Sequence, residues 1–403
     1  MTAEIGMRYG CNPHQASARC YLADDRVSEM GASRSDAAPL PLTPLNGSPS
    51  YINLMDALNA WQLVRELKGA LDLPAATSFK HVSPAGAAVA VDLDEDLRKS
   101  YFVADRELSP LAVAYARARG ADRLASFGDW IALSDTVDVP TADLIRIEVS
   151  DGIIAPGYEP EALAILKKKK GGDYRILQID PAYEPPALER KQIFGIELEQ
   201  GRNDFVPDDA FFANVVTQNG SLPDSARRDL TVATIALKYT QSNSVCLAYN
   251  GQVIGVGAGQ QSRVHCVRLA SSKADNWYLR LHPRVLGMQF ARGLKRPEKI
   301  NAIDIFLQED VTPAELNAWQ ANFREVPERL STDEKREWLD QLKGVALSSD
   351  AFFPFRDNID RAARSGVEYV VQTGGSIADE QVIAAADEYG MLMINSGVRL
   401  FHH

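Results

Sequence analysis

The segment Ser78-Phe79-Lys80-His81-Val82-Ser83-Pro84-Ala85-Gly86 sets a lysine beside a histidine where an apolar stretch runs into a Pro/Gly turn. An imidazole accepts a proton near neutral pH, whereas an ammonium supplies positive charge or, if desolvated, a proton. The pair suits a reaction whose nucleophile must lose a proton while an oxyanion forms and a leaving nitrogen is protonated. Adjacent residues on a straight strand face opposite ways. Lys80 and His81 therefore serve one site only if the backbone leaves the strand there, which Pro84 and Gly86 permit. On these residues alone, a surface lysine beside a structural histidine is the simpler reading.

Three other polar clusters carry the same ambiguity: Arg8-Tyr9-Gly10-Cys11-Asn12-Pro13-His14-Gln15, Tyr239-Thr240-Gln241-Ser242-Asn243-Ser244, and Arg399-Leu400-Phe401-His402-His403. Their amides and arginines suit either buried structural bonding or ligand binding. Leu400-Phe401 reads as a docked end. Gly255-Val256-Gly257-Ala258-Gly259, followed by Arg263, has its third glycine too early for the GxGxxG loop of a dinucleotide site. It reads as an anion-binding turn backed by Arg263, or as a glycine-rich bend. The sequence holds no GxxxxGK[ST] phosphate loop, no GxSxG nucleophile elbow and no PCxxC element of a zinc deaminase.

The elements that must position these groups alternate. Leu54, Leu58, Trp61, Val64 and Leu67 share one helical stripe leading into the Lys80-His81 segment. Ser109-Pro110 starts a second helix that Gly120 closes. Strands are expected over 124–129 and 130–134, another helix after them, and a strand around 152–157. The pattern returns with a helix over 231–239, a strand over 244–249, an Asn250-Gly251 hairpin turn and a strand over 252–256. Residues from about 283 to 347 read as helical, with a capping box at Ser331 to Glu334. Beyond them come a helix from Asn358, a strand over 367–371, a turn at Gly374-Gly375, a helix over 378–389 and a strand over 391–394. The Ala-, Ser-, Asp- and Pro-rich segment 23–44 reads as a surface loop. Such alternation predicts an α/β class.

The chain has 403 residues, 45% of them hydrophobic, and a formal net charge of -11. That charge argues against a nucleic-acid footprint. The one basic block, Lys167 to Lys170, reads as a solvated helix end. Cys11, Cys20, Cys246 and Cys266 have neither CxxC pairing nor zinc-site spacing, so reduced thiols and a cytoplasmic location are expected. No apolar run reaches membrane-spanning length. Two rival functions stay open on these grounds: a nicotinamide-dependent oxidoreductase using Gly255 to Gly259, and a catalytically silent nucleotide-binding protein.

Taken together, the segments "RYGCNPHQ", "LNGSPSYINLMDALNAWQL", "SFKHVSPAGAA", "YARARGADRLASFGDWIALSD", "EVSDGIIAPGYE", "KYTQSNSVCLAYNGQVIGVGAGQQSRVHC", "SSDAFFPFRDNIDRAARSGVEY" and "RLFHH" carry a resemblance. They resemble, over essentially the whole chain, the formyltransferase part of the AICAR transformylase/IMP cyclohydrolase family, AICAR being 5-aminoimidazole-4-carboxamide ribonucleotide. The resemblance implies formyl transfer from 10-formyltetrahydrofolate to the 5-amino group of AICAR, in purine biosynthesis. It makes Lys80, His81 and Asn243 the catalytic groups. It places AICAR near Arg8, Tyr9, Asn53, Gly128, Asp151, Arg263 and Arg399, and folate near Val264, Phe352, Asp357, Ser376 and Ile377.

The implied architecture is mixed α/β, with two cytidine-deaminase-like subdomains, residues 1–190 and 191–403, the second bearing the helical insertion and neither binding zinc. The family works as a homodimer with sites between subunits, and some members bind a potassium ion, for which this sequence carries no independent pattern. In the bifunctional enzymes a cyclohydrolase domain precedes this part, whereas Arg8 here already belongs to the transformylase pattern. A free-standing transformylase, with ring closure to IMP on another polypeptide, is the expectation.

Overall fold

The computed structural model describes residues 4–15, 18–22 and 39–403. Strands β1 (Glu4–Met7) and β2 (Ala18–Tyr21) form a small antiparallel ribbon. There follow β3 (Leu42–Asn46), α1 (Tyr51–Leu71), β4 (Ala75–Phe79), β5 (Pro84–Val89), α2 (Glu95–Ser100), α3 (Pro110–Ala121), β6 (Asp129–Leu133), α4 (Val139–Ile147), β7 (Ser150–Ala155), α5 (Pro160–Lys167) and β8 (Arg175–Ile179). A second ribbon, β9 (Leu188–Ile193) and β10 (Ile196–Gly201), stands exposed along both strands. Next come α6 (Asp224–Lys238), β11 (Val245–Tyr249), β12 (Gln252–Gly257), α7 (Arg263–Leu279), α8 (Pro283–Leu286), α9 (Arg296–Leu307), α10 (Pro313–Gln320) and α11 (Thr332–Leu339). The chain ends with β13 (Val345–Ser349), α12 (Asp357–Ala363), β14 (Val367–Gln372), α13 (Asp379–Glu388) and β15 (Leu392–Asn395).

Eleven strands form one mixed sheet in the order β15-β14-β13-β11-β12-β5-β4-β6-β7-β8-β3, so the protein is mixed α/β. The order reads outward from its middle. From β5, the neighbours β4 and β6 are antiparallel steps and β7 and β8 parallel ones. From β12, the neighbours β11 and β13 are antiparallel steps and β14 and β15 parallel ones. The two blocks join where Gln252 of β12 pairs antiparallel with Ala88 of β5.

Period-two alternation separates two cores. Ala76, Ala88, Ile131, Ile153, Leu247 and Ile254 face α3, α4 and α7, while Phe79, Val89, Trp130, Ile154, Cys246 and Val253 face α1 and α6. Both faces are thus covered, which is why the central strands read as nearly unbroken apolar runs. The glycines of β5 and β12 set how closely helices approach: a Cβ on Gly86 would lie 2.2 Å from Ala118 O, and one on Gly257 2.0 Å from Cys266 O. Gly255 likewise sits under Ala270. The anion-binding turn expected over 255–259 is therefore a strand packed against α7, with only Gly259 (φ +66°) in the turn beyond it.

The Asn250-Gly251 hairpin forms as expected, both residues having positive φ. Other expectations need correction. Residues 124–128 are a turn, and the strand begins only at Asp129; Leu124 and Phe127 are exposed rather than core. The loop expected over 23–44 lies mostly outside the described residues, but Leu42 to Pro44 already pair with β8. The helical region ends before Val345, where β13 starts. It has its own core of Val285, Phe306, Trp319 and Phe323.

Candidate active site

The backbone answers how Lys80 and His81 can share a site. His81 and Val82 both take positive φ, 54° and 57°. The chain thereby leaves β4 in a tight turn that Lys80 N–H closes by donating to Ser83 O at 2.9 Å. Lys80 Nζ donates to Phe127 O at 2.7 Å, which holds the ammonium against the turn before β6. That turn is fixed from below. The Ser78 hydroxyl lies 2.7 Å from that of Ser126 and donates to the buried Asp129 carboxylate at 2.6 Å. Gly128, φ +77°, donates its N–H to Val149 O.

Beside His81 stands Asp56, with Asp151 near it. Asn53 and Ser50 form the capping box of α1, Ser50 N–H donating to Asn53 Oδ1 at 3.1 Å. One turn further along α1, Asp56 Oδ1 accepts from Val82 N–H at 2.7 Å. Burial pushes the Asp56 carboxyl up, against hydrogen bonds from the Val82 and His81 backbone and the nearby His81. Asp151 pairs with Lys170 at 2.7 Å, and Lys169 reaches Glu148 O. Half of the basic block is thus bonded into the structure rather than solvated. Burial, with Arg119 and Lys170 nearby, lowers Lys169 to about 8.

The second cluster lies on the segment before β11 and the start of α7. Arg263 is buried; its Nη1 binds the fully buried Asp350 and its Nη2 donates to Asn243 Oδ1 at 2.9 Å. Asn243 Nδ2 donates in turn to Gln261 O at 3.2 Å. Ser242 Oγ donates to Asp350 Oδ2 at 2.6 Å and accepts from His402 N–H at 3.0 Å, so the end of the chain is docked here. A cavity of about 780 Å³ opens between Asn243, Arg263, Phe352, Gly374, Arg399 and Phe401. The clusters meet where Gln241 N–H donates to Ser83 Oγ at 3.3 Å, inside the turn that carries His81. Behind this junction Glu66 of α1 accepts from Lys238 and Tyr239 of α6, each at 2.7 Å.

The remaining candidates sit around these groups or apart from them. Val264 follows Arg263 in the first turn of α7, half-buried. Ser376 and Ile377 follow the glycines of the cavity wall, Ile377 fully exposed. Asp357 is exposed at the start of α12. Arg8 and Tyr9 lie just past β1, and no hydrogen bond or ion pair among the described residues ties them to either cluster. Among the described residues no three His, Cys, Asp or Glu side chains gather as a metal site would need. No described helix is long and apolar enough to cross a membrane. Asp56, Phe127, Ser78 and Asp129 escape sequence reasoning; only the one-turn spacing of Asp56 from Asn53 points toward the site.

The arrangement joins the Lys80-His81 turn, through the Gln241 to Ser83 hydrogen bond, to a segment whose Asn243 lines a cavity with Arg263 at its wall. Magnetococcus marinus "Bifunctional purine biosynthesis protein PurH" is 34% identical over 401 residues, covering 99% of this chain and 59% of the relative. The protein of the same name from Cereibacter sphaeroides is 32% identical over 399 residues, covering 98% and 59%. This chain therefore spans about 59% of the length of the relatives it matches. The profile of the AICARFT/IMPCHase bienzyme matches residues 1–273, and the chain belongs to that family.

Proposed function

We propose that the chain transfers the formyl group of 10-formyltetrahydrofolate to the 5-amino group of AICAR, giving formyl-AICAR and tetrahydrofolate. The observation that carries this reading is the meeting of the Lys80-His81 turn with the Gln241–Asn243 segment beside the cavity of about 780 Å³. The amine lone pair of AICAR is delocalised into the ring and its carboxamide, so attack needs help at the amine and at the carbonyl. His81 takes the amine proton as the new N–C bond forms. The formyl oxygen becomes an oxyanion that the Lys80 ammonium stabilises. As the tetrahedral adduct collapses, the bond from carbon to N10 of the folate breaks and Lys80 delivers a proton to that nitrogen. The Asn243 amide, oriented by Arg263 and the Gln261 carbonyl, orients the reacting groups.

Arg8, Arg263 and Arg399 suit the phosphate of AICAR through charge-assisted bonds, with Asn53 and Asp151 suiting its ribose or carboxamide and Tyr9 and Gly128 beside them. Folate is assigned to Val264, Phe352, Asp357, Ser376 and Ile377, where exposed apolar side chains at the cavity mouth support the reading. The repeated strand order supports two subdomains, residues 1–190 and 191–403. The exposed apolar residues of the β9–β10 ribbon, Leu188, Ile193, Phe194, Ile196 and Leu198, support a homodimer that covers them. We assign ring closure to IMP outside residues 1–403, and place the protein in the cytoplasm. For the potassium ion of some family members, the oxygens of Asp350, Ser242 and Ser244 are hard donors, but they bond one another and Asp350 pairs with Arg263, so they do not fit the ion.

The assay is formation of tetrahydrofolate from AICAR and 10-formyltetrahydrofolate. Lys80→Ala and His81→Ala are expected to lower kcat by about 10²-fold or more; rates within a few-fold of wild type sink the mechanism. NAD(P)H binding without response to folate sinks the assignment itself, and IMP formed faster than spontaneous closure contradicts the single activity.

A further inference from the structure

The turn that presents His81 is costly. Two successive residues with side chains have positive φ, and the second, Val82, is β-branched, for which this region is a true outlier. Such residues persist only where their surroundings impose the conformation. The imposing group is Asp56, buried on α1, whose Oδ1 accepts from Val82 N–H at 2.7 Å with a further hydrogen bond from the His81 backbone. No lysine or arginine among the described residues forms an ion pair with Asp56, so these amides are its principal compensation.

The second block of the sheet supplies the comparison. There Asp229, on α6, accepts from Asn250 N–H and Gly251 N–H at 2.6 Å each, across the β11–β12 turn. Both of those residues have positive φ too, 49° and 76°, but asparagine and glycine adopt it at little cost. The same device, a helix carboxylate gripping two amides of the next hairpin turn, holds an easy turn in one block and a difficult one in the other. What differs is that the difficult turn carries His81.

We propose that Asp56 is a positioning residue for His81: it holds the left-handed turn that turns the imidazole toward the site of Lys80 and Asn243. This rests on the formyltransfer reading for its kinetic consequence and on the backbone alone for its structural one. Asp56→Ala is expected to lower kcat about 10²-fold, with KM for both substrates changed by less than about 3-fold. Asp56→Asn, which keeps an oxygen acceptor for the amides, is expected to recover at least tenfold of that loss. In a His81→Ala background Asp56→Ala should cost no more than about twofold, because the two then act through one group. Crystal structures of the two Asp56 variants give a readout free of activity: φ of His81 and Val82 turns negative in Asp56→Ala and stays positive in Asp56→Asn. If Asp56→Ala does not fold, Asp56→Ser takes its place, since its shorter hydroxyl cannot reach both amides. An unchanged turn in the alanine or serine variant, or an equal loss with and without His81, overturns the proposal. If wild type forms no tetrahydrofolate, the formyltransfer reading fails while the crystallographic comparison still decides the role of Asp56.

Discussion

Replacing Glu148 by glutamine tests how the helical region is fastened to the first block of the sheet. Glu148 is buried at the end of α4. Arg123 reaches its Oε1 at 3.0 Å and Arg296, the first residue of α9, at 2.6 Å; Arg119 Nε lies 3.1 Å from Oε2, in ion-pair range but poorly aligned for a hydrogen bond. Burial drives this carboxyl up, but Arg123, Arg119 and Arg296 outweigh it and hold it at about 2, against the ordinary 4.5. At 1.36 kcal/mol per pH unit, that difference is about 3 kcal/mol of folding stability. A carboxylate depressed in the fold contributes fully above its unfolded value, and the contribution fades as pH falls from about 4.5 toward 2. Glu148→Gln also leaves three guanidiniums short of their shared anion, a loss in the range of about 3–5 kcal/mol for a broken buried pair. Equilibrium urea denaturation at pH 7 should therefore show the variant about 3 kcal/mol less stable, and the gap should narrow below pH 4.5 as wild type loses the same charge. A gap under about 0.5 kcal/mol at pH 7, or one independent of pH, refutes the reasoning.

Two smaller perturbations separate structural from catalytic contributions. Ser126→Ala deletes the 2.7 Å contact with Ser78 that steadies the turn bearing Phe127 O; losing one hydrogen bond of about 1 kcal/mol should lower kcat between about threefold and tenfold through Lys80, and steady-state rates check it. Asn53→Ala should cost about 1 kcal/mol by removing the acceptor of Ser50 N–H while the Ser50 cap itself remains, read from the urea midpoint, whereas Asn53→Asp keeps the acceptor and the stability but raises KM for the anionic AICAR.

The parts of the fold legible in the sequence are those where local chemistry and tertiary packing agree. Ser109-Pro110 starts α3 and Asn250-Gly251 turns the hairpin because cap and turn residues act within a few positions. Residues 124–128 mislead because Leu124, Ala125 and Phe127 are apolar without being core; their backbone is committed instead to the Asp122 side chain, Val149 O and Lys80. The glycines of β12 mislead similarly: their spacing looks like an anion loop, but the space they save is taken by the backbone of α7. Asp56 is legible only as a residue one turn from Asn53, since its role depends on the sign of φ in a turn 26 residues away.

The repeated strand order also explains why one edge of the sheet is open and its counterpart is not. The β4–β5 turn and the start of β11 lie at one edge; the β11–β12 turn and the end of β5 lie at the other, with Val89 N–H donating to Gly251 O. At that second edge the buried Arg117 of α3 is inserted, its guanidinium donating to the carbonyls of Val91, Asp92 and Asn250. Tyr101 OH bonds Gln252 and accepts from Trp277 Nε1 beside it. This arginine satisfies three backbone carbonyls and is itself fully buried. At the first edge Lys80 bonds Phe127 O, and Asn243 and Arg263 line the cavity. A chain built from two similar strand orders thus has two similar junctions. One is filled by Arg117 where the blocks join, while the other borders the cavity lined by Asn243 and Arg263.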